Sequence, residues 1–155
     1  MKKFIITVCL SFFGIAALAQ TQGEVTIGAH LKYGSEVESL GLGLEAQYGF
    51  TDLIRGDGSW SYFFQKEGVS MHEFNANLHY LVDLGVNDKL LVYPLAGLNY
   101  SITKVQSSTN GELGINVGGG FQYALTNEYS LKGEVKYVIG DADQVVLGIG
   151  VIYHF

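Results

Sequence analysis

The chain has 155 residues, 48% of them hydrophobic and only 15% charged, and its 15 acidic residues outnumber the 9 basic ones. That balance excludes a nucleic-acid binder, which needs a basic footprint, and the length suits a single domain. The charge is also well below the roughly 25–35% that a soluble surface carries.

The first stretch, MKKFIITVCLSFFGIAALAQ, opens on Lys2 and Lys3. An apolar run from Phe4 to Leu18 follows and closes on the small-x-small triplet Ala17-Leu18-Ala19. This is the pattern of a secretory signal peptide, with cleavage expected before Gln20. The expected organisation is a signal at residues 1–19 and one domain at 20–155. A retained helix does not fit, because the run is short and lacks a positive stop-transfer flank. Lipidation at Cys9 does not fit either, since bulky Val8 precedes it. Cleavage removes the only cysteine, and with it disulfide and thiol chemistry. It also removes Lys2 and Lys3, leaving 7 of the 9 basic residues.

From Gly23 onward the apolar residues recur with period two, the signature of strands half-buried on one face. The first predicted strand, EVTIGAHLKY, sets Val25, Ile27, Ala29, Leu31 and Tyr33 against Glu24, Thr26, Gly28, His30 and Lys32. The second, LGLGLEAQYGF, sets Leu40, Leu42, Leu44, Ala46, Tyr48 and Phe50 against three glycines, Glu45 and Gln47. The third, LIRGDGSWSYFF, alternates Ile54, Gly56, Gly58, Trp60, Tyr62 and Phe64 with Arg55, Asp57, Ser59 and Ser61. The fourth, HEFNANLHYL, alternates Phe74, Ala76, Leu78 and Tyr80 with Glu73, Asn75, Asn77 and His79. The fifth, LLVYPLAGLNY, is apolar on both faces, with Asn99 as its polar marker. The sixth, ELGINVGGGFQY, sets Leu113, Ile115, Val117, Phe121 and Tyr123 against Glu112, Asn116 and Gln122. The seventh, YSLKGEVKYVI, sets Leu131, Val135 and Tyr137 against Lys132, Glu134 and Lys136. The eighth carries Val145, Leu147, Ile149, Val151, Tyr153 and Phe155 on one face.

Eight strands of about ten residues have the length that crosses a bilayer when tilted. The stretches between them, GSEVES, TD, QKEGVS, DLGVND, TKVQSSTN, LTNE and GDAD, are rich in turn-forming residues. The predicted fold is all-β: an eight-stranded antiparallel up-and-down barrel, closed so that no edge is exposed.

Three features turn the apolar face outward. The charge is low. The polar face is crowded with glycines such as Gly41, Gly43, Gly114, Gly118, Gly120, Gly148 and Gly150, which make room inside a narrow tube. With strands numbered alternately up and down, the aromatics sort to two rims around an aliphatic band. Tyr33, Trp60, Tyr62, Phe64, Phe74, Tyr100 and Tyr137 fall at one, and Tyr48, Phe50, Tyr80, Phe121, Tyr123, Tyr153 and Phe155 at the other. Two such aromatic girdles are the mark of a membrane barrel.

The terminal stretch Gly150-Val151-Ile152-Tyr153-His154-Phe155 resembles the C-terminal assembly signal of bacterial outer-membrane barrels, except that Gly148 stands where that pattern has a polar residue. The mature chain as a whole resembles the small eight-stranded OmpA/OmpX-type, porin-like barrels. The resemblance implies a place in the bacterial cell outer membrane after export. It also implies contact with outer-membrane lipid, and recognition of Gly150, Tyr153 and Phe155 by the barrel-assembly machinery during insertion. A monomer is expected.

An eight-stranded barrel is just wide enough for side chains to fill. The expected filling is a polar network of Glu45, Arg55, Asp57, Asn77, Lys132, Glu134 and Lys136, with Arg55 partnered by Asp57 or Glu45. The Arg55-Gly56-Asp57 tripeptide resembles an integrin-binding motif but falls inside the third strand. His30, His72, His79 and His154 show no metal-ligand spacing and are expected to be lumen or loop groups. The acidic turn at Asp141 and Asp143 lacks a calcium-binding frame. The glycines at 118–120 open no helix and so form no phosphate loop. No metal, cofactor or catalytic residue is predicted. The expected function is a non-enzymatic membrane barrel with a structural or surface-interaction role. One alternative is an enzyme acting on lipid A or phospholipid, but the chain has no His-x-Ser pair of the kind such barrel deacylases use. A narrow pore is the third option.

Overall fold

The computed structural model describes residues 22–84, 89–141 and 143–155. The proposed signal at 1–19 lies outside them. Among the described residues every regular element is a strand: β1 (Val25–Gly34), β2 (Ser39–Gly49), β3 (Ile54–Lys66), β4 (Val69–Tyr80), β5 (Val82–Asp83), β6 (Leu90–Val105), β7 (Ser108–Ala124), β8 (Tyr129–Gly140) and β9 (Gln144–His154). β5 is a two-residue stub that continues the line of β4 along β6 after Leu81 leaves the ladder. The other eight pair antiparallel with their sequence neighbours, and β1 with β9 closes the ring. The result is the closed eight-stranded antiparallel barrel that the alternation predicts.

The face assignment follows the alternation. Leu113, Leu44 and Leu98 point outward with 71%, 61% and 60% of their surface exposed. Glu73, Lys136 and Lys132 point inward with 0%, 2% and 4%. A soluble barrel shows the reverse. Such an outer wall is stable only against hydrocarbon, and such an interior only if its polar groups satisfy one another.

Two hairpins are tighter than expected, whereas the TD connection is wider, because Phe50 and Leu53 fall outside β2 and β3. Of QKEGVS only Glu67 and Gly68 lie outside the strands, both with positive φ (51° and 84°), as a two-residue hairpin turn matched to strand twist requires, and a register shift between Phe63 and Lys66 bulges β3 just before it. Of TKVQSSTN only Gln106 and Ser107 do, because Val105 pairs with Ser108 and the ladder continues to Lys104 and Thr109. Those residues carry no apolar alternation, so the sequence pattern ends before the hydrogen-bonded strand does. At the opposite rim, Thr51 and Thr126 build the same turn. The Oγ1 of Thr51 accepts from the backbone of Leu53 and Ile54 (3.2 and 3.0 Å). That of Thr126 accepts from Glu128 and Tyr129 (3.2 and 3.0 Å). The acidic turn serves a similar end: Asp143 accepts from Gly140 N and Tyr137 OH, each at 2.9 Å.

The interior has an apolar layer that the alternation did not predict. Phe63, Met71, Val138 and Val146 pack together inside the upper barrel, near the tight hairpins, with Val37 against them. At the lower end, where β1 begins and β9 ends, Tyr93, Leu95 and Ile152 also point inward and are buried. The glycines opposite make this filling possible. A Cβ on Gly120 would stand 2.7 Å from the Tyr93 hydroxyl, so the tyrosine fits only because Gly120 has no side chain.

Candidate functional site

The polar groups of the lumen form three connected clusters. At mid-barrel, Lys132 Nζ lies 2.7 Å from Glu45 Oε2 across the lumen and 2.9 Å from Glu134 Oε2 on its own strand. Gln47 donates to the other oxygen of Glu45 (3.1 Å), and the Tyr93 hydroxyl donates to Glu134 (3.2 Å). Above, Glu73 Oε1 takes Lys136 Nζ at 3.0 Å, Lys32 Nζ at 3.3 Å and Asn75 Nδ2 at 2.8 Å. Lys136 also donates to Asn75 Oδ1 (2.6 Å), which accepts from Asn99 and Asn116 as well (2.9 Å each). Asn116 links this cluster downward to Asn77 (2.7 Å), and Asn77 donates to Asp57 (2.8 Å).

The lowest cluster runs from Asp57 toward the chain ends. His79 Nε2 sits 3.0 Å from Asp57 Oδ1, and its Nδ1 faces Arg55 at 3.3 Å. Arg55 donates to Gln122 Oε1 (2.9 Å) and lies over the Tyr93 ring, 5.2 Å from its centroid. Gln122 Nε2 approaches His154 Nε2 (3.2 Å), which also meets Ser130 Oγ (2.8 Å), while His154 Nδ1 meets Glu24 Oε1 (2.6 Å). Glu24 precedes β1, outside the membrane-spanning strands. The hydrogen bond from His154 holds its carboxyl below the usual carboxylate range.

All seven expected network residues thus face the lumen, and all but the less deeply buried Glu134 are under a tenth exposed. Their partners differ from expectation in one place. Arg55 is paired with neither Asp57 nor Glu45. The cross-strand register explains this: His79 stands opposite Arg55 and Asn77 opposite Asp57, so His79 comes between them, while Glu45 is taken by Lys132. Arg55 and Asp57 of the tripeptide are both buried, which removes it from any surface role. His30 and His79 are lumen groups, and His154 is one at the lower mouth. His72 is neither lumen nor loop: it lies on the outer wall in β4, 4.9 Å from Tyr62 and 6.1 Å from Trp60, centroid to centroid.

Sequence reasoning left Glu73, Lys32, Asn75, Asn99, Asn116 and Tyr93 out of the network. Glu73, Asn75 and Lys32 stood on the polar faces of predicted strands, so alternation had the face right; what it lacked was depth. With them, four lumen cations (Lys32, Arg55, Lys132, Lys136) balance four lumen anions (Glu45, Asp57, Glu73, Glu134), the three lysines in direct ion pairs. Among the described residues, the larger lumen cavities lie at the ends. The upper mouth holds a cavity of about 270 Å³ and the lower mouth one of about 180 Å³. The void beside Glu45 and Lys132 measures about 10 Å³, the lower limit for one water. Among the described residues no cluster of histidine, cysteine and carboxylate groups could hold a metal.

A closed barrel, inverted in polarity and filled with ion pairs, fits one kind of family. The model of the outer membrane protein beta-barrel domain matches residues 5–155. The chain belongs to that family.

Among solved structures it is similar to the N-terminal β-barrel domain of OprF from Pseudomonas aeruginosa. That match has a TM-score of 0.76 and 21% identity, over 88% of this chain and 100% of that one. It is also similar to neisserial surface protein A, with a TM-score of 0.65 and 18% identity over 85% and 96% of the two chains. The outer membrane enzyme PagL shares the fold at a TM-score of 0.53 and 11% identity, over 84% and 98%. Identities this low carry the fold alone. No curated protein matches the sequence. Gly150 is a buried lumen position of β9. Tyr153 and Phe155 lie at the lower rim, edge to face at 5.2 Å, with Tyr129 5.3 Å from Tyr153.

Proposed function

We propose that the membrane-embedded part of this outer-membrane barrel is a non-catalytic, non-conducting anchor with a structural or surface-interaction role. The observation that carries this reading is the Lys132–Glu45 pair spanning the lumen, with the Lys136–Glu73 pair above it. Above both, Phe63, Met71, Val138 and Val146 form an apolar cluster, two of whose members, Met71 and Val138, line the upper-mouth cavity beside Asn99. An ion would have to break buried pairs to pass, at several kcal/mol each.

In this reading the barrel is a monomer surrounded by outer-membrane lipid, which the exposed aliphatic wall and rim aromatics such as Trp60, Tyr80 and Phe155 favour. The lower rim faces the periplasm, and Tyr153 and Phe155 are what the barrel-assembly machinery reads. The lipid-modifying alternative draws on the fold shared with PagL. The outer wall speaks against it. There His72 lies between aromatic rings, and the serines that accept or share hydrogen bonds with other histidines lie inside. The test is swelling of liposomes carrying the purified barrel in small sugars and amino acids. Swelling no faster than in protein-free liposomes is expected; fast swelling would favour the pore.

A further inference from the structure

The upper mouth holds a bowl that the anchor does not need. Its cavity of about 270 Å³ has buried lining residues, among them Asn99, Met71 and Val138, and exposed ones, among them Val105 and Asn110, so a solute enters from the upper side. Three carboxylates line it from separate places in the chain: Glu36 in the β1–β2 turn, Glu112 in β7 and Asp141 just after β8. Among the described residues no lysine, arginine or histidine lines it, and none of the three carboxylates has an ion-pair partner. The nearby lumen lysines, Lys32 and Lys136, are both held by Glu73, and Lys66 at the same end is held by Glu38. Gln144 is an independent mark. It lines the cavity, is 4% exposed, and its Oε1 has no hydrogen-bond partner. That oxygen points into the lumen: the Cβ that Gly34 lacks would stand 3.0 Å from it and 3.1 Å from Val37, another lining side chain. A buried acceptor without a donor calls for a ligand or water to supply one.

We propose that the upper mouth binds a small aliphatic amine carrying two or more ammonium groups. Three unpaired carboxylates repel anions. A bare divalent ion needs several oxygens converging on one point, and among the described residues no three carboxylates come together in that way. A quaternary ammonium is recognised by aromatic faces, and no aromatic residue is among those lining the cavity. Primary and secondary ammonium groups carry N–H donors, which both the carboxylates and the Gln144 carbonyl accept. Val37, Val69, Met71 and Val138 offer apolar surface to the methylenes that link those groups.

Size narrows the class further. Pockets for drug-sized ligands start at about 300 Å³, so this bowl suits a short unbranched chain rather than a bulky one. Carboxylates still touched by water are screened by salt, so binding weakens as ionic strength rises. The inference goes beyond the anchor reading and stands without it, because the bowl lies above the Lys136–Glu73 pair. Liposome swelling tests the seal; ligand binding tests the bowl.

The experiment is calorimetric titration of the full barrel in a non-ionic detergent at low salt, with folding checked by heat-dependent gel mobility. Spermidine and putrescine are the probes, and one spermidine should bind per barrel. Butylamine, with a single ammonium group, should bind much more weakly, as should hexamethonium, with two quaternary ones, and magnesium chloride. Glu112→Gln should weaken spermidine binding by about fivefold, the upper end for an ion pair touched by water. Gln144→Leu should weaken it too, and Glu36→Gln, Glu112→Gln and Asp141→Asn together should abolish it. Glu67→Gln, in the β3–β4 turn outside the bowl, should leave it unchanged. Several results would overturn the proposal: folded wild type that binds no spermidine, butylamine or magnesium binding as tightly, binding that survives the triple change, full affinity in Gln144→Leu, or an equal loss in Glu67→Gln. Should a variant fail to fold, wild-type amide resonances decide. Spermidine should shift those of Ser101, Asn110 and Gln144 and leave Thr51 and Thr126 at the opposite rim in place; the reverse pattern would overturn the site.

Discussion

Lys136 Nζ and Glu73 Oε1 meet at 3.0 Å in the upper lumen, with side chains 1% and 0% exposed. The same carboxylate oxygen also holds Lys32 at 3.3 Å. One anion therefore ties together β1, β4 and β8.

This asymmetry gives the first prediction. Removing the shared anion strands two buried lysines; removing one lysine leaves the anion a second partner. Glu73→Gln should destabilise by about 3–5 kcal/mol, the usual cost of breaking a buried pair. Lys136→Met should cost less, because Lys32 remains. The double variant should cost less than the sum of the two. Urea unfolding of the barrel in lipid vesicles measures all three, and additive costs would mean the pair is not coupled.

The second prediction concerns the wall. Val117 points outward with 48% exposure, and its neighbour Asn116 is fully buried. Val117→Arg should cost about 2–4 kcal/mol if it reaches the bilayer midplane. Asn116→Ala removes donors to Asn75, Asn77 and the Leu98 carbonyl, so about 1–3 kcal/mol is expected. Alternation alone suggests a much smaller cost for Asn116, because a polar face does not reveal that one asparagine joins two clusters. Replacing Val117 with Leu should be nearly neutral, and a large cost would place that side chain inside.

That contrast marks what the sequence makes legible. Period two and glycine placement give the strand count, the faces and the closure, since each is local along the chain. The register, and hence who meets whom across the lumen, depends on turn lengths and strand stagger, which residue types barely encode. Arg55 shows this: its partners are set by His79 standing opposite it in β4 and by Gln122 reaching it from β7. Glu24, Ser130 and His154 show it again. They are 130 residues apart at the extremes, and each looks ordinary in its own strand.

The third prediction uses two glycines. Gly120→Ala would set a methyl against the Tyr93 hydroxyl and the Gly133 carbonyl, 2.7 and 2.6 Å away. Overpacking of this kind costs about 1–3 kcal/mol. Gly58, on the outer wall, has nothing within 4 Å of an added Cβ, so Gly58→Ala should be neutral or slightly stabilising. Equal effects in an unfolding titration would contradict the inward crowding.

The fourth concerns pH at the lower mouth. The hydrogen bond from His154 lowers the Glu24 carboxyl in the folded barrel. A lowered folded value means that the contribution is present above the unfolded carboxylate value and is lost as pH falls through the folded one. Wild type should therefore be more stable than Glu24→Gln at about pH 6, and the difference should shrink towards about pH 3. A difference that grows on acidification would show the sign to be wrong.

The sealed lumen is the centre of the account, and planar-bilayer recording of the purified barrel tests it most directly. The account predicts a baseline with no steady single-channel steps in wild type, while Glu45→Ala and Glu73→Ala combined with Phe63→Ala, which removes the anion of both ion-pair layers and opens the apolar cluster, should admit ions if it folds. Steady, reproducible steps from the folded wild-type protein would contradict the account.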